Sequence, residues 1–250
     1  MSQSSSNIPV VKRRWDWRFA IILPLWVLAS FILVQLVLSL ILSAAQQAGV
    51  RFDDINSTLF STLLGAVVYV MTLLLVIGVP MWLKRQRTSR GDLGLQRYPR
   101  WLDLGMAPLG YIAYMILAGV FVALTPTLLP FVNLEQVQNT GFSQLSGQFE
   151  YILAFISLVI VAPVAEEIIF RGYLFGKLRK YTPLWIAILI TSLLFAIVHF
   201  AWNVGIDVFA LSIILCLLRV WSKSLWPSIL LHMIKNFIAF YFLFINPGLI

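Results

Sequence analysis

The sequence has very little of the charge that soluble proteins carry on their surfaces. Only 11% of its 250 residues are charged, whereas 60% are hydrophobic, and the mean hydropathy is +0.92. These values lie far outside the range of soluble globular domains. The sequence therefore predicts an integral membrane protein that has the lipid bilayer as its surroundings.

Cysteine is almost absent, and so are the motifs of several protease classes. The single cysteine, Cys216, lies within an apolar run, which excludes a disulfide framework and a cysteine-based metal site. The chain contains no G-x-S-G, G-x-G-D or H-E-x-x-H motif, so the corresponding serine, aspartyl and zinc proteases are excluded. The net charge of +8 comes from short basic clusters between apolar runs, so we expect no nucleic-acid partner.

Long apolar runs are what the sequence does contain, and each is typical of a transmembrane helix. The first is too long for a cleaved signal peptide. We expect an all-α, polytopic membrane bundle of about seven helices, with six to eight as the range. One run contains Pro108 and Pro126 and could be kinked or split, and the sixth is short. The runs are 19–45, 59–83, 104–130, 151–175, 184–200, 206–220 and 225–245.

Basic residues predict the orientation of this bundle. If the N-terminus is cytoplasmic, 15 of the 18 Lys and Arg residues fall on the cytoplasmic side, and Arg51 alone falls in an outer connection. We expect a multi-pass protein of the plasma membrane with a basic cytoplasmic tail at 1–18. The remaining two, Arg171 and Lys235, lie inside apolar runs, where a charge usually has a partner or a function.

Two adjacent carboxylates and an arginine lie in the fourth run. Glu167 and Arg171 are four residues apart, so on a helix they are neighbours and can neutralise each other. Glu166 points about 100° away from Glu167 and is left as the free carboxylate. A structural ion pair with a companion carboxylate is an equally good interpretation of these three residues alone.

Both histidines of the chain also lie in apolar runs. His199 follows Phe195 by one turn in the fifth run, and His232 precedes Asn236 by one turn in the seventh. At about 1.5 Å of rise per residue, Glu166 and His199 lie about 21 and 24 Å from the cytoplasmic helix ends. His232 lies only about 11 Å deep, so a tilt, a kink at Pro227 or a shortened sixth span must bring it to the others.

These residues form the pattern E-E-x-x-x-R, F-x-x-x-H and H-x-x-x-N on successive helices, which resembles the CPBP family of CAAX-prenyl endopeptidases and bacteriocin-processing enzymes. The resemblance covers roughly 151–245. We therefore expect 151–250 to be the motif-bearing catalytic core and leave 19–150, with the first helices and loops, without an assigned role. It implies an intramembrane endopeptidase in which Glu166 and His199 activate a water molecule, while His232 and Asn236 stabilise the oxyanion. Glu167, Arg171 and Phe195 would support these four residues.

Several alternatives stay open at this point. Glu166, His199 and His232 could also bind zinc, although we favour a reaction without metal. A non-catalytic membrane adaptor of the same fold, or a proton-coupled transporter using these residues as a relay, is the competing function. Lys235 could extend towards the interface or bind an anionic group such as a C-terminal carboxylate. The substrate is expected to be a peptide or a membrane protein; neither its identity nor the oligomeric state follows from the sequence.

Overall fold

The computed structural model describes residues 15–52, 55–84, 87–134, 136, 142 and 145–247. Residues 1–14, and with them most of the expected basic tail, lie outside this part of the chain. Within the described ranges every regular element is helical. The helices are α1 (Phe19–Gln47), α2 (Ser57–Leu83), α3 (Arg90–Leu93), α4 (Trp101–Leu128), α5 (Gln148–Tyr181), α6 (Leu184–Ile197), α7 (Trp202–Ser222) and α8 (Trp226–Ile245).

Six of these helices are long and apolar enough to cross a bilayer, and α6 is a shorter apolar helix. The prediction of a polytopic all-α bundle is thereby confirmed. The assignment of the short span was wrong, however, because α7 has 21 residues whereas α6 has 14. Helix α6 ends at Ile197, well before the end of its apolar run, and the chain then turns.

Prolines do not divide the helices as the sequence suggested. Helix α4 is continuous through Pro108 and Pro126 over 28 residues. A proline removes one backbone hydrogen bond, which a helix of that length can lose. Pro227 lies in the first turn of α8, where its missing N–H would have no partner in any case, so it begins the helix and causes no kink.

Helix α5 occupies the centre of the molecule. Its residues 169–176 are all buried, and its aromatic side chains Phe170 and Phe175 pack against α1, α2 and α6. A second cluster joins α4, α7 and α8. Gly110 permits the close approach of α4 to these helices, since a Cβ there would lie 2.5 Å from a methyl carbon of Leu231 and 2.9 Å from one of Leu218.

Helix α5 also departs twice from α-helical hydrogen bonding. Ile156–Val161 and Ile168–Leu174 are π-helical, and they flank the α-helical segment Ala162–Glu167, which carries both carboxylates. Such wide turns shift the register of the side chains that follow them and occur often at functional sites.

The loop between α2 and α4 lies against one end of the bundle. Ser89 and Asp92 form a capping box at the start of α3, and Gly94 ends it with a left-handed φ of 83°. The backbone N–H of Leu225 donates to the carbonyl of Gly94, and the indole N–H of Trp226 donates to that of Arg97. The loop is thereby fixed to the start of α8.

Candidate active site

The buried centre of the site is an ion pair between neighbouring turns of α5. Arg171 donates from Nη1 to Glu167 Oε1 at 2.9 Å, and both side chains are fully buried. The same carboxylate oxygen lies 3.0 Å from Nδ1 of His232 on α8. The predicted pairing of Glu167 with Arg171 is therefore present, and Glu167 additionally fixes the ring of His232.

Glu166 has a different environment from its neighbour. Its side chain is 15% exposed, and its Oε2 lies 3.8 Å from Nε2 of His232. Its Oε1 accepts a hydrogen bond of 2.5 Å from the hydroxyl of Tyr69 on α2. Glu166 is thus the carboxylate that the arginine does not neutralise, as the spacing suggested, and His232 lies between the two glutamates.

His199 lies in the turn after α6 and not within a span, contrary to the expectation. The helix ends at Ile197, and Phe200 adopts a left-handed φ of 52°, which reverses the chain direction into α7. His199 Nδ1 lies 2.7 Å from the carbonyl oxygen of Phe195. A carbonyl can only accept, so Nδ1 carries the proton and, in the neutral ring, Nε2 keeps its lone pair.

Phe195 connects the histidines and the buried arginine. Its fully buried ring meets the rings of His199 and His232 edge to face, at centroid distances of 4.9 and 5.8 Å. The guanidinium of Arg171 lies over the same ring, 4.2 Å from its centroid. His199 is also near enough to Glu166 and His232 to interact with both electrostatically. The structure therefore brings together the predicted residues Glu166, His199 and His232 around Phe195.

Asn236 is held by an unusual backbone acceptor. Its Nδ2 donates to the carbonyl of Leu158 at 2.8 Å. In this π-helical segment each backbone N–H bonds to the carbonyl five residues earlier, as Ala162 does to Ser157. The N–H that would bond to the Leu158 carbonyl is therefore that of residue 163. Residue 163 is proline, which has no N–H. Pro163 leaves the Leu158 carbonyl open, and Asn236 bonds to it with one of its two N–H groups.

A zinc site does not fit this arrangement. In the described part of the chain, no three His, Cys, Asp or Glu side chains are grouped so that they could hold a metal ion, and this includes Glu166, His199 and His232. We therefore derive no step through a metal.

Sequence reasoning missed three polar residues in or near the site. Tyr69 belongs to a part of the chain that carries no motif, and its contact with Glu166 spans 97 positions. Lys235 Nζ lies 3.2 Å from Asp207 Oδ2 on α7, and Tyr114 on α4 donates to Asp207 Oδ1 at 2.5 Å. Asp207 was recognisable as an acid inside an apolar run, whereas the two tyrosines gave no signal.

A comparison with protein families agrees with this geometry. Residues 148–238 match the family described as type II CAAX prenyl endopeptidase Rce1-like, and this range contains every motif residue from Glu166 to Asn236. This part of the chain matches the CPBP family. The recognition of CPBP intramembrane proteases from three short motifs is therefore confirmed.

Curated proteins that are similar to this chain come from several bacteria. It is 27% identical over 200 residues to the membrane-embedded CAAX protease MroQ of Staphylococcus aureus, covering 73% of this chain and 76% of that protein. It is 36% identical over 77 residues to the putative membrane peptidase YdiL of Bacillus subtilis, covering 31% and 32%.

It is also 34% identical over 99 residues to the UPF0177 protein YbdI of Lactococcus lactis, covering 40% and 50%. The chain thus spans most of one relative and half or less of the other two. No solved structure matches it.

Proposed function

We propose that this CPBP-family protein is an intramembrane endopeptidase that hydrolyses peptide bonds of membrane-associated peptides or proteins. The observation that carries the proposal is that a partly exposed carboxylate, Glu166, lies near two histidines, His232 on α8 and His199 in the turn after α6. Peptide hydrolysis needs a base for water and donors for the developing oxyanion, and this cluster contains both.

Glu166 is the residue that we assign as the base. Its Oε2 has no arginine partner and lies at the exposed side of the pair, whereas Glu167 is buried and bonded to Arg171 and His232. His199 presents an Nε2 lone pair that can accept a hydrogen bond from the same water. Glu166 takes one proton as the water oxygen attacks the carbonyl carbon, and it returns that proton to the leaving amine.

His232 and Asn236 are the residues that we assign to the oxyanion. When both ring nitrogens of His232 carry protons, Nδ1–H donates to Glu167 and Nε2–H is available on the side of Glu166. Asn236 has a second N–H beyond the one bonded to Leu158.

The substrate class follows from the setting and the relatives. The site lies among membrane helices, and MroQ is named a CAAX protease, so we propose cleavage of membrane-associated peptides in the manner of CAAX-prenyl proteases. We place the protein in the plasma membrane with a cytoplasmic N-terminus, because the basic residues gather at one end of the helices. Residues 151–250 then form the catalytic part.

The proposal is tested with protein reconstituted in liposomes and a panel of quenched-fluorescent peptides that includes prenylated CAAX sequences. We expect cleavage by the wild type, and losses of roughly 10²-fold or more for Glu166→Gln and His199→Gln, the size of general acid–base contributions. Cleavage is expected to persist with a metal chelator.

The comparison of three variants assigns the roles. Asn236→Ala is expected to lower kcat by about 10²-fold while leaving KM nearly unchanged, as for other lost oxyanion donors. The transporter function would be favoured over the peptidase if the wild type cleaves no peptide but carries protons across the liposome membrane, and if this transport depends on Glu166. A wild type without either activity would leave the adaptor function.

A further inference from the structure

A small polar cavity lies at the C-terminal end of α5. Its volume is about 220 Å³, far above the roughly 10–15 Å³ that a single water molecule needs. It is formed by the last turns of α5 and by the loop that precedes α3. Its lining residues are Arg87, Thr88, Asp92, Gly172, Tyr173, Gly176, Lys177 and Lys180.

Two glycines of α5 bring the loop close enough to form this cavity. A Cβ on Gly172 would lie 3.3 Å from the carbonyl oxygen of Leu93, and one on Gly176 would lie 3.3 Å from that of Asp92. Larger residues would push the loop away from the helix. The capping box of Ser89 and Asp92 fixes the loop from its other side.

Cationic side chains outnumber acidic ones in the lining. Arg87, Lys177 and Lys180 face a single acid, Asp92, whose Oδ1 accepts from Lys180 Nζ at 2.8 Å. The hydrogen bond from the Lys180 ammonium is the largest cause that holds the pKa of Asp92 well below its usual value, and the hydrogen bonds from Ser89 lower it further. Asp92 is therefore ionised. Even so, the lining keeps an excess of positive charge.

The position of the cavity decides which anion can reach it. Lys177 and Lys180 lie in the last two turns of a 34-residue membrane helix, where the bilayer meets water. The Nζ of Lys177 lies 4.9 Å from the ring centroid of Tyr173, so the aromatic ring holds this ammonium beside the cavity. Basic pockets between helices at this level suit lipid phosphates.

We propose that this cavity binds a phosphate group, supplied by the headgroup of an acidic phospholipid. Arg87 and Lys177 contact the phosphate oxygens, and Lys180 remains paired with Asp92 and adds its charge. This site is separate from the carboxylates and histidines of the proposed peptidase, and it does not depend on that function.

Native mass spectrometry of the full-length protein in mild detergent tests the proposal. The probes are phosphatidylglycerol, phosphatidic acid, phosphatidylcholine and inorganic phosphate, each titrated separately. We expect the two acidic lipids to bind more tightly than phosphatidylcholine. Arg87→Gln and Lys177→Gln are each expected to weaken that binding about fivefold, the contribution of one cation at a membrane surface.

Arg90→Gln is the matched control, since it removes the same charge from the same loop but from a residue outside the cavity. Lys177→Arg should keep the affinity. Competition by inorganic phosphate at similar concentrations would support the phosphate site and assign it to the free anion. Equal binding of acidic and zwitterionic lipids, or an equal loss in Arg90→Gln, would overturn the proposal.

Discussion

At the scale of single residues, the site depends on giving two adjacent glutamates different surroundings. Neighbouring positions on a helix point about 100° apart, so Glu167 faces Arg171 while Glu166 faces Tyr69 and His232. One carboxylate is thereby paired with a buried arginine, and the other keeps an oxygen without an arginine partner, as the proposed base needs. Identical side chains therefore serve different purposes because of what each contacts.

Tyr69→Phe tests the hydrogen bond that holds Glu166 in place. The change removes only the hydroxyl that donates to Glu166 Oε1 at 2.5 Å. Because hydrogen bonds to charged groups contribute about 1.5–3 kcal/mol, we expect kcat for peptide cleavage to fall about tenfold or more. Tyr98→Phe, at a side chain that is 89% exposed, is the matched control and should keep the wild-type rate.

Arg171→Met tests the buried ion pair. It leaves Glu167 as a buried carboxylate without its cation, which costs about 3–5 kcal/mol, so we expect a large fall in Tm in detergent. The double variant Glu167→Gln with Arg171→Met removes the unpaired charge and should recover most of the lost stability. A single Arg171→Met variant with the wild-type Tm would show that the pair does not stabilise the fold.

At the scale of helices, irregular turns place the site more than regular periodicity does. The π-helical segments on both sides of Ala162–Glu167 change the register of α5, and the early end of α6 puts His199 in a turn. Pro163 explains the position of Asn236, because it has no N–H for the Leu158 carbonyl, and that carbonyl accepts from Asn236 Nδ2 instead. Helical periodicity alone gives none of these details.

Gly110 and Gly119 of α4 form a matched pair for testing helix packing. A Cβ at Gly110 would meet carbons of Leu231 and Leu218 at under 3 Å, whereas nothing lies within 4 Å of one at Gly119. Gly110→Ala is therefore expected to cost about 1–3 kcal/mol and to lower Tm. Gly119→Ala should leave Tm unchanged or raise it, since alanine favours the helix. Equal effects of the two changes would contradict the packing of α4.

At the scale of the whole molecule, the fold class and the motif residues were predictable, and the completed site was not. The length of each apolar run predicts a membrane-spanning helix, because the thickness of the bilayer sets the length that such a helix needs. Motif residues only four positions apart, such as Glu167 and Arg171, are predictable neighbours because they lie on the same helix. The Tyr69 contact and the Asp207–Lys235 pair join distant segments, so only the packed bundle places them. The first part of the chain, which has no motif, thus contributes directly to the candidate site.

The central claim is that Glu166 is the base of a membrane peptidase. The most direct measurement compares the rates of peptide cleavage by Glu166→Gln and by the wild type, each reconstituted in liposomes of the same composition. The two proteins should have the same Tm, so that a loss of activity does not reflect a loss of folding. Glu150→Gln, at the start of the same helix, is the control. We predict a loss of roughly 10²-fold or more for Glu166→Gln and none for Glu150→Gln. Cleavage by Glu166→Gln at the wild-type rate would contradict the claim.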